Sequence, residues 1–237
     1  MITKKGVSYF VDSQKWVIFA ADTFLISKHN MKKLLLSAAL LLATVSFAQT
    51  NLPAPQKAKK TLSVMEALST RHSERAYSNK ALTDQELSDL LWAAGGVNRP
   101  DGHITSPTAM NKQEIRIFVF TAKGVSEYLP QTNQLKEVVK GDHRDIVAGR
   151  QDFAKTAPVS LVLVGDFDKF GSNAEHAKLM VAVDAGIVSE NINLYCAAAG
   201  LATVPRGTMD GPAIQKLLGL NANQLPILNN PVGYPAK

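Results

Sequence analysis

The sequence of 237 residues predicts an α+β or α/β sandwich, and three observations lead to this prediction. Residues 159–166, "VSLVLVGD", are continuously apolar, as is typical of a strand that is buried on both faces. Residues 178–199 carry the longest helical pattern and are apolar on nearly every side, so this helix is expected in the core or at an oligomer interface. The remaining short strand patterns alternate with helix patterns. We therefore expect one domain over residues 61–237.

The segment ahead of this domain has the three parts of a secretory signal peptide. Residues 31–48, "MKKLLLSAALLLATVSFA", begin with two lysines, continue as an apolar run and end on small residues at the cleavage positions. Because a signal peptide belongs at the N-terminus, Met31 is the expected start and residues 1–30 a misassigned extension. The mature protein is then exported, to the periplasm, with no stable membrane span. The alternative is a longer membrane anchor that includes residues 16–26, although basic residues interrupt it.

Composition excludes several function classes. Residues 1–48 hold six Lys/Arg and two Asp/Glu, so the net charge falls from +6 to +2 once they are removed. No Lys/Arg cluster is interleaved with aromatic residues, which argues against nucleic-acid binding. The single cysteine, Cys196, lies in an apolar stretch and is expected to be a small core residue. The histidines lack the spacing of metal ligands, so no metal site is expected.

The elements of the domain follow in order from capping and periodicity. Residues 49–60 contain two prolines and no apolar period, which predicts a flexible leader. Capping boxes at residues 63–66 and 83–86 begin two helices. The second helix presents Leu87, Leu90, Leu91 and Ala94 on one face and stops at a Gly-Gly pair.

The strand predictions come next. Residues 114–122 read as a half-buried strand with Ile115, Ile117 and Val119 on one side, and residues 125–129 and 135–139 as a hairpin. The remaining predictions are a short helix at 142–148, a strand at 201–206, a helix at 212–218 and a last strand at 229–235.

The first stretch that could carry chemistry is "RHSER" at residues 71–75. Arg71 and Arg75 are four residues apart, with the donors of His72 and Ser73 between them. Guanidinium forks beside a hydroxyl suit phosphate oxygens. The alternative is a solvated surface loop in which Glu74 pairs with an arginine.

Two further stretches are polar and precede or follow predicted strands. "SPTAMNKQ" at residues 106–113 offers hydroxyl and amide groups suited to a heteroaromatic ring edge or a polyol, although plain turn chemistry would also explain it. In "VPRGT", Gly207 allows a backbone N–H to approach a ligand closely. A strand-to-helix turn in which Asp210 caps the next helix is the alternative, and both can hold together.

These three stretches, in this order, resemble the FMN-dependent nitroreductase family, in particular its small exported branch, which is similar to dehydrogenases of the peptide-oxidising type. "RHSER" is similar to the family's Arg-x-Ser-x-Arg pattern, and "SPTAMNKQ" to Ser-Pro-Ser-x-x-Asn-x-Gln. Residues 184–205 look like its central helix and following strand, and the resemblance spans residues 62–234. It implies a nitroreductase-like α/β sandwich with a central mixed sheet wrapped by helices. It also implies a homodimer with the long helix at its interface and FMN between the subunits.

The resemblance also implies which residues bind FMN. The phosphate and ribityl chain would be bound by Arg71, His72, Ser73 and Arg75, and the isoalloxazine ring by Asn111 and Gln113. The backbone near N5 would be that of Gly207 and Thr208. The C-terminal basic group would be Lys237. Arg75 would also lie near the pyrimidine edge of the ring. The sequence departs from the family pattern where Glu114-Ile115 replaces Pro-Trp, and it ends without the usual basic segment.

The implied activity is that of an FMN-dependent oxidoreductase. Hydride would pass in a ping-pong reaction from a reduced donor, NAD(P)H or another, through FMN N5 to a quinone, nitroaromatic or other organic acceptor. Export complicates the choice of donor, because NAD(P)H is a cytoplasmic pool. Two alternatives stay open: an exported flavin-binding or carrier protein, including an inactive family member, and a structural domain without a ligand.

Overall fold

A computed structural model describes residues 48–57 and 62–236. The signal peptide, the extension before it and Lys237 fall outside the described residues, apart from Ala48. The helices and strands are, in chain order, β1 Gln49–Asn51, α1 Val64–Thr70, α2 Asp84–Gly95, β2 Ile115–Thr121, β3 Gly124–Leu129, β4 Gln134–Lys140, α3 Arg144–Ala148, β5 Val159–Asp166, α4 Phe167–Phe170, α5 Glu175–Ala199, β6 Ala202–Thr203, α6 Gly211–Leu218 and β7 Gln224–Gly233. None of the described helices is long and apolar enough to cross a membrane.

The strands form one seven-stranded sheet in the order β1-β4-β3-β2-β5-β7-β6. Every pairing between these strands is antiparallel. The α+β class is therefore confirmed, whereas the mixed sheet that the resemblance implied is wrong for the described strands. The short β2–β3 and β3–β4 connections explain part of this difference, because they leave room only for antiparallel neighbours.

The centre of the sheet is buried on both faces. In β5, Leu161 and Leu163 face one core cluster and Val162 and Val164 face the other, which confirms the prediction for this strand. The half-buried β2 predicted from its alternation is wrong, because the opposite face carries Phe118 and Phe120, which are also buried. Helices α3 and α6 contribute to the cluster that covers this second face.

The long helix α5 packs across the first face of the sheet. Its buried side includes Val188, Ile192 and Cys196, so the cysteine is the core residue that the sequence predicts. At Gly165 in β5 an added Cβ would lie 2.4 Å from Val181 Cγ1, so the glycine allows α5 to approach the strand closely. The helix ends at Gly200, whose φ of 71° suits glycine.

The leader predicted to be flexible is ordered over its described part. Residues 49–51 pair with β4 as an edge strand. The carbonyl of Pro53 then accepts hydrogen bonds from Ser88 Oγ at 2.5 Å and from Asn133 Nδ2 at 2.9 Å. Gln56 N donates to Asp89 Oδ1 at 2.7 Å. Proline removes an amide donor but leaves a carbonyl acceptor, so this segment is held by partners distant in the sequence.

Both predicted capping boxes are confirmed. Ser63 and Thr83 each accept a hydrogen bond from the backbone N–H three residues later, and Glu66 and Glu86 bond back to the N-cap amides. Helix α1 therefore ends at a defined place, with Arg71 as its C-cap residue. This position is the first residue of the "RHSER" loop.

Candidate functional site

The loop of residues 71–75 leaves both of its guanidinium groups available. Glu74 Oε1 accepts hydrogen bonds from the backbone N–H of Arg75 at 3.0 Å and of Ala76 at 3.3 Å, and Glu74 Oε2 lies 3.3 Å from His72 Nε2. These contacts hold the pKa of Glu74 below its ordinary value, with the Arg75 amide as the largest cause. Across the described residues no carboxylate pairs with Arg71 or Arg75. The alternative in which Glu74 pairs with an arginine is therefore wrong.

His72 adds positive charge to this loop. Its Nδ1 lies 2.9 Å from the carbonyl oxygen of Thr70 and its Nε2 faces Glu74. Both contacts need an N–H on the ring, and the Thr70 carbonyl, followed by Glu74, raises the pKa of His72 above its ordinary value. The loop thus groups two guanidinium groups and an imidazole that favours its charged form, beside the exposed Ser73.

A small cavity of about 190 Å³ adjoins this loop. Thr70, His72 and Glu74 line one side, and Asn193 and Cys196 of α5 and residues 200–203 line another. The volume suits a phosphate and part of a polar chain better than a fused ring system.

The loop of residues 106–113 has a strained backbone. Met110, Asn111 and Gln113 have φ values of 54°, 52° and 49°, a conformation that costs most L-residues about 1–2 kcal/mol each. The loop is held by the Ala109 N–H, which donates to Asp184 Oδ2 at 2.8 Å, and by the Gln113 N–H, which donates to Thr108 Oγ1 at 2.8 Å. Strain of this kind is typical of positions where surrounding structure fixes a functional geometry.

The predicted ring-binding amides lie together in this loop. Gln113 Nε2 donates to Asn111 Oδ1 and to the carbonyl of Gly102, both at 3.2 Å. Asn111 Nδ2 has no recorded partner among the described residues, and Ser106 Oγ is buried without one. The two amides are therefore held in place and still have hydrogen-bonding capacity for a ligand.

A wider cavity of about 690 Å³ lies beside Gly207 and Thr208. A Cβ added at Gly207 would meet no atom within 4 Å, so a ligand can approach this backbone. Asp210 caps α6 by accepting from Ala213 N at 3.0 Å, which confirms the predicted helix cap. Arg150 and Lys155 also line the cavity. The sequence reasoning missed both, because neither lies in a recognisable motif.

Arg206 was also missed, and it fixes the backbone just before Gly207. Its side chain is 6% exposed and donates to Gln151 Oε1 at 2.7 Å, Asn229 Oδ1 at 2.8 Å and the carbonyl of Ala148 at 2.7 Å. Burial lowers the pKa of Arg206 from its ordinary value, but a guanidinium stays charged in proteins. The network joins the strand end to the segment that carries Arg150.

The three stretches do not all meet within one chain. Thr203 lines the smaller cavity and Gly207 the wider one, and four residues span at most about 14 Å, so these two cavities are neighbours. The loop of residues 106–113 instead docks at Asp184, whereas the 71–75 loop adjoins Asn193 and Cys196. Asn193 and Cys196 come 9 and 12 residues after Asp184 on α5, which corresponds to about 14–18 Å along the helix. The two loops therefore contact α5 at different places.

The residues present fit a ligand with a phosphate at one end and an electron-accepting ring at the other. Two unpaired guanidinium groups suit the phosphate. The open backbone of Gly207, together with Arg150 and Lys155, suits a ring that gains negative charge. FMN has this chemistry, so the fit to the cofactor implied by the sequence is good.

Comparisons with known proteins confirm the nitroreductase-like fold. A model of the nitroreductase family matches residues 68–234. The crystal structure of a candidate nitroreductase from Ralstonia eutropha superposes with a TM-score of 0.76 and 32% identity, covering 82% of this chain and 93% of that one. A candidate nitroreductase from Methanocaldococcus jannaschii is 28% identical over 178 residues, 71% of this chain and 89% of that protein. An FMN reductase using NAD(P)H from Bacillus subtilis is 22% identical over 188 residues, 73% of this chain and 66% of that protein.

Proposed function

The chain belongs to the nitroreductase family and is an oxidoreductase, and we propose that FMN is its cofactor. The observation that carries this proposal is the loop of residues 71–75, in which Arg71 and Arg75 have no ion-pair partner among the described residues and Glu74 is occupied by His72 and by backbone amides. In the proposal the loop binds the FMN phosphate and ribityl chain. The similarity to an FMN reductase supports the choice of flavin.

The remaining residues would position the ring. The backbone N–H groups of Gly207 and Thr208 would donate near N5, and Arg150 and Lys155 would place positive charge beside the ring edge. Bound FMN would supply hydride chemistry at N5, from NAD(P)H or another reduced donor to a quinone, nitroaromatic or other organic acceptor. The protein's own part is to hold the ring, to expose one face of it and to favour an electron-rich state electrostatically.

An absorption spectrum of the purified protein tests the proposal. We expect flavin bands that bleach when a reduced donor is added without oxygen and return when a quinone or nitroarene follows. Yellow protein that stays inert to every donor would favour a flavin carrier, which the proposed export signal also suits. Colourless protein that does not take up added FMN would contradict both functions.

Export to the periplasm is part of the proposal, because it decides which donors the enzyme meets. It depends on the signal-peptide pattern of residues 31–48 and on no described residue. A mass measurement of the exported product should give a chain that starts near Gln49. A product that retains residues 7–24 would contradict it.

We further propose a homodimer, because the two halves of the site lie apart on one chain. If two copies place their α5 helices antiparallel about a two-fold axis, the loop of residues 106–113 of one subunit comes beside the 71–75 loop of the other. Large apolar side chains are exposed where such a partner would lie: Leu179 and Val183 on α5 are 58% and 48% exposed, and Met65 on α1 is 74% exposed. Helices α1 and α5 pack against each other, so both would take part in such an interface.

The double variant Leu179→Lys/Val183→Lys is expected to yield monomers and to lower FMN affinity at least about tenfold, because charge would be buried in an apolar interface. Light scattering measures the mass, and flavin fluorescence measures the affinity. The control is Lys123→Glu in the β2–β3 turn, which changes charge away from this surface. Monomers of the native chain that bind FMN tightly would contradict the shared site.

A further inference from the structure

Two buried carboxyl groups lie side by side behind the loop of residues 106–113. Glu114 is fully buried and Asp184, on α5, is 4% exposed. The two side chains lie within hydrogen-bonding distance of each other. Neither oxygen of Glu114 has a hydrogen-bond donor among the described residues. Glu114 stands where the family pattern has proline, so the ordinary family pattern does not explain this pair.

A proton shared between Glu114 and Asp184 removes the repulsion between these two carboxyl groups. Two adjacent carboxylates, of which Glu114 has no donor among the described residues, would be unfavourable in a buried site, whereas one protonated carboxyl donates a hydrogen bond to the other. Burial, with Asp184 as the further cause, raises the pKa of Glu114 to about 7. The group is therefore neutral below about pH 7 and becomes ionised above it.

Asp184 is also the acceptor that anchors the strained loop. Its Oδ2 accepts the Ala109 N–H at 2.8 Å, one residue before the left-handed turn at Met110 and Asn111. Glu114 follows directly after Gln113, so the two carboxyl groups hold the loop at both ends. A second charge at Glu114 would repel Asp184 and weaken this anchor.

We propose that Glu114 is a positioning residue, and that the proton it shares with Asp184 fixes the loop that presents Asn111 and Gln113 to the flavin. The inference depends on the proposed function for its ligand, but the anchor itself belongs to the ligand-free protein. When the proton leaves, repulsion between the two carboxylates displaces Asp184 from the Ala109 amide, and the loop relaxes from its strained backbone. Flavin affinity then falls.

The other charged groups near the pair do not replace this proton. Lys169, on α4, favours the ionised form of Glu114 but donates its Nζ to the carbonyl of Gln113 at 2.5 Å. Arg116, on β2 two residues after Glu114, pairs with Glu127 at 2.6 Å and lies 4.0 Å from Asp166. The groups facing Glu114 are thus Asp184 from α5 and Lys169 from α4.

The test compares the full chain with Glu114→Gln, whose amide donates to Asp184 without titrating. In ligand-free wild type we expect the protection of the Ala109 amide from hydrogen exchange, corrected for intrinsic rate, to fall at least about tenfold from about pH 6 to pH 8.5. In Glu114→Gln it should stay constant. The matched control is Glu137→Gln on β4, an exposed carboxylate, which should behave as wild type.

Flavin affinity provides the second measurement over the same pH range. Wild type should lose at least about tenfold more affinity than Glu114→Gln. Both proteins retain His72 and titrate the same FMN phosphate, so their difference isolates Glu114. Equal pH dependence of Ala109 protection in both proteins would overturn the inference even if FMN binds. If FMN does not bind but protection still depends on Glu114, the proposed function fails and the anchor stands.

Discussion

Replacing Arg206 with methionine is expected to lower the free energy of unfolding by about 3–5 kcal/mol, because a buried guanidinium that donates to several neutral acceptors is lost. The substitution removes the guanidinium that donates to Gln151 Oε1, Asn229 Oδ1 and the carbonyl of Ala148. The Ala148 carbonyl keeps the Gln151 N–H at 3.1 Å, so the two side-chain oxygens bear the main loss. An unsatisfied buried acceptor costs about 1–3 kcal/mol. The guanidinium also lies 5.4 Å from the ring of Phe153, so a favourable ring contact is lost as well.

Urea unfolding followed by circular dichroism measures this effect, without added FMN so that ligand binding does not contribute. Arg206→Lys keeps the charge but not the planar fork, and should retain only part of the lost stability. The matched control is Arg99→Met, because Arg99 is exposed and its one recorded ion-pair contact, with Asp101, is at 4.0 Å; its effect should stay within about 0.5 kcal/mol. A loss below about 1 kcal/mol for Arg206→Met would mean that the network is not needed to hold this part of the fold.

The sequence predicted those elements whose causes are local. The capping boxes at Ser63 and Thr83 need only residues three positions apart, and both helices begin where these predict. The unbroken apolar run of β5 can also be recognised without knowing which strands pair with it. The loop that we propose binds phosphate could be singled out for the same reason, because its arginines lie within five residues.

The elements that sequence reasoning missed depend on partners distant in the chain. Glu114 and Asp184 are 70 residues apart, and Arg206 bonds residues more than 50 positions before it, so no window of sequence shows either cluster. The second face of β2 is apolar, but its burial depends on where α3 and α6 pack. The order of the leader depends largely on backbone groups that bond to distant partners, and an apolar period does not report such bonds.

The residues that sequence reasoning missed have the same role in the site, which is to position other residues. The motif residues provide the groups that would touch a ligand, whereas Arg206 and Asp184 fix the backbone that carries Gly207 and Ala109. Ligand-contacting side chains can be recognised by type and spacing. The residues that position them can be recognised only once the fold brings them together.

The double variant Arg71→Ala/Arg75→Ala is expected to bind FMN at least about a hundredfold more weakly, while its free energy of unfolding changes by no more than about 0.5 kcal/mol. A charged hydrogen bond contributes about 1.5–3 kcal/mol, or roughly ten- to hundredfold in affinity, for each guanidinium. Stability should hardly change, because among the described residues neither guanidinium has an ion-pair partner to lose and Glu74 keeps its contacts to His72 and the backbone.

Fluorescence titration of FMN at two salt concentrations measures the affinity and its electrostatic part. The single lysine variants keep the charge without the bidentate fork, so they should bind with intermediate affinity. Lys123→Ala, in a turn away from the loop, is the control for a lost positive charge. The salt dependence of binding should weaken in the double variant, because fewer charges then face the phosphate. Unchanged affinity in the double variant would place the phosphate elsewhere, because the two unpaired guanidinium groups of this loop would then make no contribution to binding.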